Sequence, residues 1–162
     1  MPVTPYRYSD SVYAAFGRAA HAAQLLEKEL ATFLLLPEFQ KKGTISTATF
    51  AKVHQDLEKS PLGPLVNKMK EVVQLDEIFE KMCEEIKTRR VNLIHHFLTD
   101  FASLIKRPDN EIIADIDHTH KLLDLGYRMF RDVNNIMFQR TGINPARFYA
   151  TLMRLEEKKP AT

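Results

Sequence analysis

The chain is poor in the residues from which several common sites are built. Its 162 residues include one cysteine, Cys83. That excludes an internal disulfide and any paired-cysteine metal or redox site, so the thiol reads as a small buried hydrophobe in a reducing compartment. The five glycines are scattered, and "SPLGP" lacks both the glycine spacing and the lysine-serine or lysine-threonine pair of a phosphate loop. No serine-centred elbow is present. The most apolar run, "LATFLLL" at 30–36, falls well short of the roughly 20 residues a membrane helix needs. The opening "MPVTPYRYSD" has no apolar signal-peptide core. We expect a cytoplasmic protein with no membrane partner. An excess of charge of one sign is missing too: 23 basic against 21 acidic residues leave a net charge of +2. This neither demands nor excludes nucleic acid, because a local patch can bind while the rest of the surface is mixed.

What is present is helical periodicity. Apolar residues recur at helical spacing from Ser9 to Lys158 and no stretch alternates at period two, so the fold class is all-α. The length suits a single domain, 1–162, with an ordered core of about 9–158. A first helix starts near Ser9 or Ser11 and is expected to end before Pro37, whose ring and missing donor interrupt a helix. "KKGTIST" reads as a loop, followed by a short helix "TATFAKVHQDLEK" and another opened by Pro64, "PLVNKMKEVV". Asp76 caps a long helix running to about Ile105. Pro108 or Asp109 starts a second long helix that Gly142 terminates, and Asn144-Pro145 opens the last one, which runs through Phe148, Leu152 and Met153. The expected architecture is an antiparallel bundle of two or three long helices with shorter ones packed across them.

The stretch "KTRRVNLIHHF", residues 87–97, contains an apparent error. At about 100° per residue, Phe79, Cys83, Ile86, Ile94, Phe97 and Phe101 share one face, and Arg90 lies at its centre. A guanidinium there is costly unless paired. Beside that face runs a polar edge of Glu85, Arg89, Asn92, His96 and Asp100. Straight-helix geometry pairs Arg89 with His96. It sets Arg90 and His95 about 140° apart, and a kink or a second subunit is needed to unite them. A structural account of Arg90 also exists: an ion pair to a carboxylate on the next helix, with Asp117 and Asp124 as candidates. "DIDHTH" at 115–120 gathers acids and imidazoles at poor ligand spacing, so no metal or other cofactor is assigned. Asp117 or His120 could instead support the motif helix from a neighbouring helix.

Arginine followed after four to six residues by histidine, on a long helix of a small helical bundle, resembles the HEPN superfamily (higher eukaryotes and prokaryotes nucleotide-binding). A fuller pattern in bacterial branches is Arg-Asn-x-Leu-x-His followed by a polar residue and aromatics. Arg90, Leu93, His95 and Phe97 match it in register. Val91 departs from it, with Asn92 one place late. The resemblance extends loosely over residues 10 to 140.

It implies a metal-independent endoribonuclease, a toxin or phage-defence component, acting on RNA as a homodimer with a composite site and, in some settings, an antitoxin or regulatory partner. The resemblance favours Arg90 with His95 as the catalytic pair, while geometry keeps Arg89 with His96 open and places Asn92 beside them. The competing expectation is a non-catalytic helical module of the same fold for protein interaction or transcription regulation. Val91 and the low net charge favour it.

Overall fold

The computed structural model describes residues 8–59, 77–93 and 107–158, and these form five helices with no strand among them. They are α1 (Asp10–Lys42), α2 (Thr47–Lys59), α3 (Glu77–Val91), α4 (Asp109–Thr141) and α5 (Pro145–Glu157). The expected helix opened by Pro64, the Asp76 cap and the continuation towards Ile105 lie outside the described residues.

Local chemistry sets most of the boundaries. Ser9 is extended at φ −63° and ψ 154°, and its hydroxyl accepts from the Val12 N–H at 3.4 Å, capping α1. Asn144 does the same for α5, its side-chain oxygen accepting from Ala146 at 2.9 Å and Arg147 at 3.4 Å, with Pro145 in the first turn. Gly43 and Gly142, both at φ 68°, end α1 and α4 in the left-handed conformation that glycine reaches without steric cost.

The expected end of α1 before Pro37 is corrected. Pro37 lies inside the helix, which continues to Lys42. An interior proline costs about 3 kcal/mol. What lies beyond it offsets that cost: Phe39 is buried and meets Phe148 edge-on at 5.3 Å, a burial worth about 1.5–3 kcal/mol, and the Gly43 N–H caps the Phe39 carbonyl at 2.7 Å.

The two longest helices, α1 and α4, share the most extensive interface. Ala15, Ala19, Ala22 and Ala23 of α1 are buried and let α4 approach closely, bringing Ile112, Ile116, Leu123 and Phe130 into the core. The third helix docks where α4 has no side chain: a Cβ on Gly126 would stand 3.0 Å from Ile86 Cδ1 and 3.4 Å from Leu26 Cδ2. That close approach fixes the register of α3 against both long helices.

On α5, Phe148, Leu152 and Leu155 are buried at helical spacing, whereas Met153 is 62% exposed. Met153 lies one step of about 100° off Leu152, which turns it away from the core.

Two glycine substitutions separate helix propensity from packing. Gly17 is exposed, with nothing within 4 Å of an added Cβ, so Gly17→Ala should stabilise by up to about 1 kcal/mol. Gly126→Val should destabilise by about 1–3 kcal/mol through overpacking. Urea denaturation followed by circular dichroism checks both.

Candidate functional site

Arg90 sits in the last turn of α3, 7% exposed among the core side chains. Its Nη2 donates to Glu27 Oε1 of α1, so the buried charge is paired within the same chain. Its Nε and Nη1 are also buried and have no hydrogen-bond partner among the described residues. Such a pair is half satisfied. One side of the guanidinium is held by a carboxylate, and the other carries donors whose desolvation is not repaid within the described structure.

The acids named from sequence as partners for Arg90 are not its partners. Asp117 pairs with Arg18 of α1 at 3.5 Å, and Asp124 with Arg128 one turn along α4 at 2.6 Å. Arg90 follows Cys83 and Ile86 on the buried stripe of α3, and Ile86 meets Gly126 beside Leu26. The next residue along α1 is Glu27.

The polar edge of α3 is arranged differently. Arg89 Nε stands 4.0 Å from Glu85 Oε1, and His118 Nε2 of α4 stands 4.0 Å from the same oxygen. Glu85, Arg89 and His118 are all more than a third exposed, so these contacts orient the edge while adding little stability. The histidine that reaches α3 from α4 is His118; of the two residues named for that role, Asp117 is engaged by Arg18. Asn92 is exposed, and the backbone at Asn92 and Leu93 takes a π-type turn. His95, His96 and Asp100 lie outside the described residues.

Around "DIDHTH", Asp115 is held by Arg107 at 2.6 Å. Among the described residues no group of three or more His, Cys, Asp or Glu side chains is placed to hold a metal ion. No described helix is long and apolar enough to cross a membrane.

Glu27 also faces a cavity of about 410 Å³ between α1, α2 and α5, which it lines with Lys28, His54, Tyr149 and Glu156. Burial raises the Tyr149 phenol above its ordinary range, and the Glu29 carboxylate adds to that rise.

Sequence reasoning missed Glu27, and it missed a second polar tie between the long helices. Asn134 is 1% exposed, and its amide donates to the Glu29 carbonyl at 2.9 Å and to Glu29 Oε2 at 2.8 Å. A signal for Asn134 was present. It stands one turn from Phe130 and one turn from Phe138, in mid-stripe, the same anomaly that exposed Arg90. Glu27 gave no such signal, because "LLEKEL" also reads as a solvated edge. The chain matches no known family model, no curated protein and no solved structure.

Removing one member of the buried pair tests its structural weight. Glu27→Ala should destabilise by about 3 kcal/mol, because it leaves a buried unpaired guanidinium, and replacing both partners together as Glu27→Leu with Arg90→Met should recover most of that loss. Glu85→Ala should change stability by no more than about 0.5 kcal/mol. Urea titration of the four proteins measures all of this.

Proposed function

We propose that the chain is a HEPN-like, metal-independent endoribonuclease that acts as a homodimer, with two motif helices contributing to one composite site. In this reading the ribose 2′-oxygen attacks the adjacent phosphorus as its proton passes to His95. The bond to the 5′-oxygen breaks, and a protonated imidazole returns a proton to that leaving oxygen. Arg90 steadies the charge that grows on the phosphate. Arg89, Asn92 and His96 supply the flanking polar edge. The toxin or phage-defence setting, with its antitoxin or regulatory partner, rests on the family resemblance alone.

The observation that carries the reading is the π-type turn at Asn92 and Leu93, which begins two residues after Arg90. Such turns occur mostly as single insertions in α-helices and concentrate at functional sites. The unpartnered Nε and Nη1 of Arg90 add two donors suited to a phosphate. Because Arg90 is 7% exposed, this chemistry requires RNA or the second subunit to displace part of its cover.

A second reading is favoured by a different observation. The pairing of Arg90 with Glu27 inside one chain is what a structural ion pair provides. On that account the chain is a non-catalytic helical module for protein interaction or transcription regulation.

Incubation of the purified protein with several RNAs in EDTA separates the two. The ribonuclease reading expects cleavage that survives chelation and falls by about 100-fold or more in His95→Ala, the scale of a lost general acid or base. Circular dichroism and dimerisation of that variant should be unchanged. A folded, dimeric wild type that leaves every RNA intact would establish the module instead.

A further inference from the structure

The end of the molecule built from α5 and the α1–α2 connection carries a separate feature. A cleft of about 550 Å³ opens there, lined by Arg147, Thr151, Arg154 and Lys158 of α5 and by Thr44 and Thr47 beside the start of α2. On a helix, Arg147, Thr151, Arg154 and Lys158 fall within about 60° of one another and span about 16 Å of axis. Glu156 is on the opposite face and lines the other cavity. Among the described residues no acidic side chain lines the cleft.

Glu38, the acid that serves the start of α2, is already engaged. Glu38 takes Lys42 at 3.3 Å, and its carboxyl lies below the usual carboxylate range. Burial acts to raise it, but bonds from the Thr49 hydroxyl, Lys42 and the Ser46 backbone outweigh that effect. Glu38 thus serves Lys42 and the first turn of α2. Arg147 lies against the Phe39 ring, its guanidinium carbon 5.9 Å from the centroid, so one cation is held in place. Neither Arg154 nor Lys158 has an ion-pair partner among the described residues.

We propose that this cleft is a binding site for a run of two or three phosphate groups. Guanidinium forks grip phosphate oxygens with two parallel bonds, the ammonium adds a point charge, and the Thr44 and Thr47 hydroxyls supply neutral donors, the Thr151 hydroxyl being spent on the Arg147 carbonyl at 3.0 Å. The spread of the cations along α5 matches several linked phosphates better than one isolated ion. Among the described residues no aromatic ring lines the cleft, so the recognition proposed is of phosphate charge and not of a stacked base. The shared chemistry comes from two sources, a free oligophosphate such as a nucleoside triphosphate and the backbone of a nucleic-acid strand. The site does not depend on the ribonuclease reading.

Isothermal titration calorimetry on the full chain tests this with inorganic tripolyphosphate, with ATP, and with a short RNA made uncleavable by 2′-O-methylation. The proteins compared are the wild type, the exposed-residue double variant Arg154→Gln with Lys158→Gln, and Arg128→Gln as a control for general charge loss. The wild type should bind at least one of the three probes, the double variant should bind it at least tenfold more weakly, and the control should match the wild type. Binding of tripolyphosphate or ATP identifies the free oligophosphate as a source, and binding of RNA alone identifies the strand. Failure of the wild type to bind any probe, or equal affinity in the double variant, overturns the proposal. Unchanged thermal melting of the double variant confirms that a lost signal reports binding.

Discussion

The structure depends on one buried charge being carried into the seam between α3 and α1. Arginine keeps its proton in any protein environment, so Arg90 cannot escape its desolvation by neutralising. Burial is tolerable only because Glu27 lies within reach, and that placement follows from packing upstream. Alanines on α1 admit α4, Gly126 admits Ile86, and Ile86 carries the next turn of α3 against the residue that follows Leu26. The ion pair is thus a consequence of helix-to-helix fit. A bulkier residue at Gly126 would push α3 outward and separate the charges.

The two long helices are tied by polar groups as well as by apolar area. Asn134 grips Glu29 from α4, two residues along α1 from Glu27, so both acids of "LLEKEL" are committed to neighbouring helices. Arg18 with Asp117 adds an exposed contact further along the same interface. Buried polar contacts of this kind specify register, because an apolar seam alone tolerates sliding and these pairings do not. The pairing is incomplete in two places: Arg90 Nε and Nη1, and Asn134 Oδ1, are buried without a hydrogen-bond partner among the described residues.

Much of the fold was legible in sequence because the relevant signals are local. Ser9, Gly142 and Asn144-Pro145 carry their cap chemistry with them, and the 3.6-residue period needs no tertiary information. Pro37 misled because its local penalty was outweighed by Phe39 packing on Phe148, a contact more than a hundred residues away in the chain. The candidate site was legible in part. Arg90 announced itself as a charge in an apolar stripe, but its partner did not, since choosing Glu27 over Asp117 or Asp124 depends on which helix faces which. Spacing also could not reveal the turn at Asn92 and Leu93, because a straight helix was the only geometry from which to count.

One side of the Arg90 guanidinium is committed to Glu27, and we propose that the other receives a phosphate. Nitrogen-15 NMR of the Arg90 Nε–H signal during titration with an uncleavable RNA dinucleotide tests it most directly. The account predicts a slowly exchanging signal that shifts as the dinucleotide binds, with the Glu27 carboxylate signal still reporting its contact. A signal that never moves while the dinucleotide binds, or one that moves only when the Glu27 pair has been broken, would contradict it.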